Sequence, residues 1–489
     1  MKHAAMIIDG KPAEAAATRE AINPYTGRAW ATIPDASAAD VGTAVAAADR
    51  AFRENWRRTP GVERARLMHA LADALVAEAE PMATMESTDN GKIIRETSSQ
   101  MLFAARNLRF FAGYADKLYG RTIPLDNPSV FDYTRRRPFG VAALITAWNS
   151  PIGLLANKLP PALATGNTVV IKPSEHASVT TCELARLACE VGFPPGVINV
   201  VTGGPAAGEA LITDPAVAKI SFTGGSATGI HIAETAARRL VPVTLELGGK
   251  SPNIIFDDAD LDRAIVGAVS GIFAAAGQTC VAGSRLLVHR PVYERVVTAI
   301  AERAAAIRLG DPLDPATEMG PVANEPQYQR ILGLIEAARA EGAVLVAGGG
   351  RAEGPGLADG LFIAPTVFAD VRPDMRIAAE EVFGPVLSVI PFEDEDEAVR
   401  IANGVEYGLA AAVWSRNIDR VYRVVDQLEV GSVWVNTYRS TAAQAPFGGV
   451  KRSGYGRERG EDALAEYTYT QNVMTDWSGA ARDPFVIRT

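Results

Sequence analysis

Val141-Ala142-Ala143-Leu144-Ile145-Thr146-Ala147-Trp148-Asn149-Ser150-Pro151 is the stretch from which the fold can be read. Its apolar opening, bounded by β-branched residues, is too short for a buried helix and reads as a buried strand. Pro151 suits the first turn of a helix, where a missing N–H costs nothing. The alternation then repeats. Residues 168–171, 198–200, 219–222 and 243–245 read as buried strands, and 151–164, 181–191, 206–212 and 227–240 as helices between them. Strands alternating with helices imply a parallel sheet covered on its faces, an open α/β domain. Upstream, residues 40–118 carry apolar residues at helical spacing, and downstream a second alternating series from 253 to 435 predicts a second α/β unit. Residues 130–137 and 467–473 read as strands with no helix to follow. Each is either an edge that another subunit completes or part of a solvated hairpin.

The chain has 489 residues, beyond the roughly 250–300 at which one core stops growing, so two or three subdomains are expected. An apolar fraction of 48% and a charged fraction of 21% are those of a water-soluble globular protein. The net charge of -9 is spread along the chain, and the densest basic run, Arg135-Arg136-Arg137, is short and strand-like. Nucleic acid is therefore not expected as a partner, because phosphate binding needs clustered cations. Three cysteines, Cys182, Cys189 and Cys280, are too few for a disulfide framework, and no Cys/His cluster has metal-ligand spacing. Residues 1–11 lack the apolar core of a signal peptide, and no run of about 20 apolar residues spans a membrane, so a cytoplasmic location is expected.

Three residues stand out as candidates for chemistry. Cys280 lies in Gly277-Gln278-Thr279-Cys280-Val281-Ala282-Gly283, after an Ala-rich helix and between glycines that allow close backbone approach. It is either a small buried hydrophobe or a nucleophile. Cys182 and Cys189, seven apart on one helical face, read as core. Glu246, in Leu245-Glu246-Leu247-Gly248-Gly249-Lys250, ends a strand, where open α/β sheets face their ligand crevice. It is either a general base or a solvated loop carboxylate. Asn149 is either a helix cap or an amide donor for an oxyanion. The usual GxGxxG fingerprint is missing. Phe222-Thr223-Gly224-Gly225-Ser226-Ala227-Thr228-Gly229, between a strand and a helix, can bind phosphate at a helix N-terminus. Gly203-Gly204-Pro205-Ala206-Ala207-Gly208 lacks the lysine of a P-loop and reads as a turn, while Lys172-Pro173-Ser174-Glu175 is either a ribose grip or an exposed charged turn.

Taken in order, these motifs resemble those of the aldehyde dehydrogenase superfamily over essentially the whole chain. Trp148–Pro151, Lys172–Glu175, Phe222–Gly229, Leu245–Lys250, Gly277–Gly283, Glu380-Glu381-Val382-Phe383-Gly384-Pro385-Val386, and Pro446-Phe447-Gly448-Gly449 followed by Ser453-Gly454-Tyr455-Gly456-Arg457-Glu458 carry the likeness. The resemblance implies a Rossmann-like cofactor domain (residues 1–121 and 139–250), an α/β catalytic domain (251–435), a β-flap for oligomerisation (122–138 and 465–489) and a return segment (436–464). It implies Cys280 as nucleophile, Glu246 as general base, Asn149 as oxyanion donor, and Lys158 with Glu458 as a proton path. Lys172 and Glu175 would meet the adenosine ribose, Gly225 the pyrophosphate, and Glu381, Phe383 and Gln327 the nicotinamide riboside. Thr146, Trp148, Ser174, Gly208, Phe222, Thr223, Gly224 and Leu247 complete the cofactor contacts. NAD is the expected cofactor, with NADP used less well, and a homodimer or homotetramer the expected assembly.

Where family members acting on simple aldehydes line their tunnel with rings, this sequence has Ser150, Asn157 and Thr441. With Thr279, and with Arg439 nearby as a planar donor, they imply a polar aldehyde, carboxylated or otherwise rich in heteroatoms. Two other readings are a coenzyme A-acylating dehydrogenase and a non-catalytic or esterase-like relative. Glu246 speaks against the first, since transfer to a thiol needs no water-activating base. The intact Cys280, Glu246 and Asn149 set speaks against the second.

Overall fold

The computed structural model describes residues 1–479 and 485. Five parallel strands form the centre of an eight-stranded sheet, in the spatial order Val243–Glu246, Val217–Thr223, Val141–Ile145, Thr168–Lys172, Ile198–Val200. Val141–Ile145 and Thr168–Lys172 are buried at every position, as expected of strands covered on both faces. From Val141–Ile145 the chain builds outward first to one side and then to the other. The strand order therefore reverses between Val141–Ile145 and Val217–Thr223, and helices leaving these two strands diverge to open a crevice at their C-terminal ends. Residues 146–150 and 224–225 border it.

The helical stretch resolves into Ala38–Glu54, Gly61–Ala77, Ala79–Asn90 and Ile94–Ala112. Ser37 and Asp40 form a reciprocal capping box at the first of these. The sheet edges were not foreseen. Met6–Ile8 and Lys11–Ala13 add an antiparallel hairpin on one side, and Gly454–Tyr455 pairs antiparallel with Val243–Glu246 on the other. Strands of two or three residues carry no readable period. One reading is corrected: Gly203-Gly204-Pro205-Ala206-Ala207-Gly208 is not a turn throughout, because Pro205–Thr213 is helical and Gly204 is its N-cap. Proline at the first helical position is the signal that was available there.

A seven-stranded sheet follows, in the order Val344–Ala347, Thr366–Ala369, Val386–Phe392, Arg285–His289, Pro252–Ile255, Ala410–Trp414, Ser432–Val435. Only its Val344–Ala347 edge is antiparallel. The two strands without helices are not left unpaired within the chain. Val130–Pro138 and Thr468–Asp476 pair antiparallel along their whole length, and Thr122–Ile123 adds a third strand. Of the segment 465–489, residues 480–484 and 486–489 lie outside the described residues.

Candidate active site

The loop carrying Cys280 is shaped by unusual backbone. After the helix Leu261–Phe273 ends, Ala275, Ala276 and Gly277 take φ values of 54°, 51° and 69°. Left-handed alanines cost about 1–3 kcal/mol each and persist only where surrounding packing demands them. Gly277 cannot be replaced without movement, since a Cβ there would sit 2.0 Å from the Gly384 carbonyl oxygen. Cys280 is half-buried, in contrast to the core Cys182. Burial pushes its thiol up to about 12, and the Glu246 and Glu381 carboxyls add to the shift.

Glu246 closes the strand Val243–Glu246 and is buried, so the solvated-loop reading does not hold. Among the described residues neither of its carboxylate oxygens has a hydrogen-bond partner. Burial raises its pKa well above the ordinary carboxylate value, and the neighbouring Glu458 raises it further. The glycines that follow let other groups close in. A Cβ on Gly248 would meet Glu381 Oε2 at 2.3 Å, and one on Gly249 the Cys280 carbonyl oxygen at 2.5 Å. The Gly249 N–H donates to Glu381 Oε1 at 2.8 Å.

Asn149 is not the helix cap, because Ser150 occupies that position for Pro151–Ala164. Its Nδ2 instead donates to the Gln278 carbonyl at 2.8 Å. One amide N–H is thereby anchored beside the cysteine loop and the second remains available. From the helix Pro151–Ala164, buried Lys158 reaches Glu458 Oε1 at 2.5 Å and donates to Ser221 Oγ at 3.1 Å.

Three cavities meet here. The first, about 830 Å³, is lined by Thr146, Trp148, Lys172, Ser174, Glu175, Gly208 and the Phe222–Gly225 turn. The second, about 500 Å³, continues past Trp148 and Gly225 to Leu247, Gln327, Glu381, Phe383, Asn149, Glu246 and Cys280. The third, about 590 Å³, lies beyond Cys280, Asn149 and Glu246 and contains Ser150, Asn157, Thr279, Arg439 and Thr441. All the expected cofactor and substrate residues thus line one continuous channel, with Cys280 where its two halves join. Lys172 is buried and lies 3.9 Å from Glu175 Oε2, which rules out the exposed charged turn. Arg439 has no ion-pair partner among the described residues and lines the third cavity, its Nη1 3.4 Å from the Ser270 carbonyl.

A dinucleotide fits the first two cavities. The buried hydroxyls of Thr146 and Thr223 have no hydrogen-bond partner among the described residues, and a Cβ added to Gly225 would meet nothing within 4 Å. Open space therefore stands before the helix Ser226–Ala237, whose first N–H groups suit a pyrophosphate. Trp148 and Phe383 stand edge to face at 5.3 Å, and Gln327 Nε2 donates to the Val382 and Phe383 carbonyls. Sequence reasoning missed several residues of the third cavity. Lys92, Arg95, Glu96, Phe103, Trp434 and Arg459 line it as well. Lys92, Arg95, Glu96, Phe103 and Trp434 lie outside the family motifs and Arg459 just past one, and the packing of Ile94–Ala112 against Pro151–Ala164 brings Arg95, Glu96 and Phe103 to the site.

The sequence profile of the Aldehyde dehydrogenase family matches residues 12–473. A betaine aldehyde dehydrogenase of Cereibacter sphaeroides is 44% identical over 473 residues, 96% of each chain. A (Z)-2-((N-methylformamido)methylene)-5-hydroxybutyrolactone dehydrogenase of Acinetobacter baylyi is 43% identical over 492 residues, the full length of both. The crystal structure of betaine aldehyde dehydrogenase from Staphylococcus aureus in complex with NAD+ superimposes with a TM-score of 0.97 at 40% identity, covering 99% of this chain and 97% of that one. The chain belongs to the aldehyde dehydrogenase family. It is an NAD-dependent oxidoreductase that takes an aldehyde to the acid.

Proposed function

We propose that this protein oxidises a polar aldehyde with NAD through a thioester on Cys280 and releases it by hydrolysis. The observation that carries this reading is the meeting of Cys280, Glu246 and Asn149 at the junction of the two halves of the channel. Residues 1–121 and 139–250 hold the cofactor in this reading, and 251–435 carry the nucleophile. Bound NAD supplies the two-electron acceptor. The chain supplies geometry and proton handling. Cys280 Sγ adds to the aldehyde carbon, and the free Asn149 N–H with the Cys280 backbone N–H stabilises the oxyanion, at about 3–4 kcal/mol per donor in comparable sites. After oxidation, Glu246 takes a proton from water as it attacks the thioester. Lys158 and Glu458 then carry that proton away from Glu246. Hydrolysis rather than transfer to coenzyme A is favoured because Glu246 is buried with both oxygens unpartnered among the described residues. NADH formation with an aldehyde panel, with and without coenzyme A, tests the reading. Turnover only with coenzyme A would overturn it.

NAD should be preferred over NADP by at least about tenfold in kcat/KM. The Glu175 carboxylate can accept from a ribose 2′-hydroxyl but repels a 2′-phosphate. Lys172, 3.9 Å from Glu175, partly offsets the repulsion. Equal efficiency with both cofactors would defeat this.

The protein is a homodimer or homotetramer of the cytoplasm in this reading. Its three cysteines are free, and no helix among the described residues is long and apolar enough to cross a membrane. Thr468–Asp476 lies at the edge of its sheet and carries exposed Tyr469 and Met474, surface of the kind a partner covers. Truncation after Tyr467, whose ring is buried, should give monomers or aggregates in sedimentation. Full-length protein that sediments as a monomer at micromolar concentration would refute the oligomer.

A further inference from the structure

We infer that the aldehyde bears a carboxylate at the end remote from its carbonyl, and that Arg459 is the residue that holds it. The inference rests on the oxidative reading above and names its substrate class. In the cavity beyond Cys280, the cations Lys92, Arg95, Arg439 and Arg459 face the carboxylates Glu96, Glu246 and Glu458. None of those three forms an ion pair with these cations among the described residues, although Glu96 Oε2 and both Glu246 oxygens lack a hydrogen-bond partner. Glu458 is paired with Lys158, Glu96 Oε1 accepts from the Ala275 N–H at 3.0 Å, and Glu246 stands beside Cys280 as the base. Lys92 is also engaged, donating to Ser150 Oγ at 2.5 Å.

Arg459 is held differently. Its guanidinium lies 5.0 Å from the Phe103 ring centroid and 4.9 Å from that of Phe447, and its Nε donates to Asn157 Oδ1 at 3.0 Å. Two aromatic contacts and one hydrogen bond position the fork while leaving its terminal nitrogens free. Among the described residues it makes no ion pair. Glu458 and Glu246 act on it only through space; a buried guanidinium with no direct carboxylate partner is costly unless a ligand supplies one, and a planar fork matches a carboxylate in bidentate geometry. Arg459 and Arg439 both have left-handed backbone, at φ 61° and 59°, a strain that structures retain mainly at functional sites. The same contacts disfavour a cationic aldehyde. Quaternary ammonium groups are recognised by aromatic faces, and here Phe103 and Phe447 already hold the protein's own cation.

The experiment is steady-state kinetics with saturating NAD on three aldehydes of similar size: one ending in a carboxylate, one neutral, one ending in trimethylammonium. Wild type should favour the carboxylate over the neutral aldehyde by about tenfold or more in kcat/KM, with the cation poorest. Arg459→Gln should lower the carboxylate-to-neutral ratio by about ten- to a hundredfold, the range for one charge-assisted contact, acting through KM. Arg459→Lys should recover part of it. Arg459→Met, which keeps apolar bulk between the rings, should reproduce the loss if the glutamine variant misfolds. Glutarate should bind wild type in calorimetry and fail to bind Arg459→Met. A ratio unchanged by these variants, or best efficiency on the cationic aldehyde, overturns the inference. If no aldehyde yields NADH, the oxidative reading fails instead, and glutarate binding still decides the anchor.

Discussion

Replacing Cys280 with serine should leave NAD binding intact and lower aldehyde-dependent NADH formation by at least about a thousandfold. The site places unusual demands on its nucleophile. Burial and two nearby carboxyls already push the Cys280 thiol up to about 12, so even this sulfur needs help to lose its proton at neutral pH. A serine hydroxyl is a far weaker acid and would lose it less readily still. The cofactor half of the channel does not depend on the sulfur. Its walls are Thr146, Lys172, Glu175 and the Phe222–Gly225 turn, so quenching of Trp148 fluorescence by NAD should persist. Stopped-flow absorbance and a fluorescence titration check both halves of the prediction. Residual turnover above a few per cent would remove Cys280 as the nucleophile.

Glu246→Gln should behave otherwise. Oxidation does not require a base for water, so a single burst of NADH close to one equivalent per site is expected. Hydrolysis does require one, and steady turnover should then fall by about a hundred- to ten-thousandfold, the usual worth of a positioned base. The acyl-enzyme should accumulate and be visible by intact-mass spectrometry. The pH dependence follows from the same residue. Burial raises the Glu246 pKa well above the ordinary carboxylate value, and only the ionised form can accept a proton. The wild-type kcat should therefore rise with pH through that elevated pKa, and the corresponding limb should vanish in Glu246→Gln. Full steady turnover in the variant would mean that another group serves as base.

The reach of sequence reading differed from element to element. Val141–Ile145 and the apolar run Val169–Ile171 were legible because strands buried on both faces read as near-continuous apolar runs. Cys280, Glu246 and Asn149 were legible as candidates because each sits in a short motif at a strand end or glycine-flanked loop. None of the three could be separated from its ordinary alternative by local pattern alone, and the family resemblance was needed for that. Gly203–Gly208 reads as a turn for want of a P-loop lysine, although Pro205 marks the first position of the helix Pro205–Thr213. The resemblance groups residues 122–138 and 465–489 in one flap, but the pairing of Val130–Pro138 with Thr468–Asp476 comes only from the structure, because antiparallel pairing across more than 300 residues leaves no trace in either segment.

What the sequence by itself determined was local: which runs are strands and helices, the alternation that demands a parallel sheet, and the order of motifs that marks the family. Tertiary structure alone decided which charges share a cavity. Arg439 was named from the sequence, but Lys92 lies hundreds of residues from Arg439 and Arg459, and nothing along the chain shows that all three face one space beside Cys280. It also decided protonation. Glu246 takes its raised pKa from burial and from the charge of Glu458, and Cys280 from burial and from the charges of Glu246 and Glu381. Desolvation and Coulomb energy depend on distance in space, whereas the periodicities that reveal strands and helices depend only on distance along the chain.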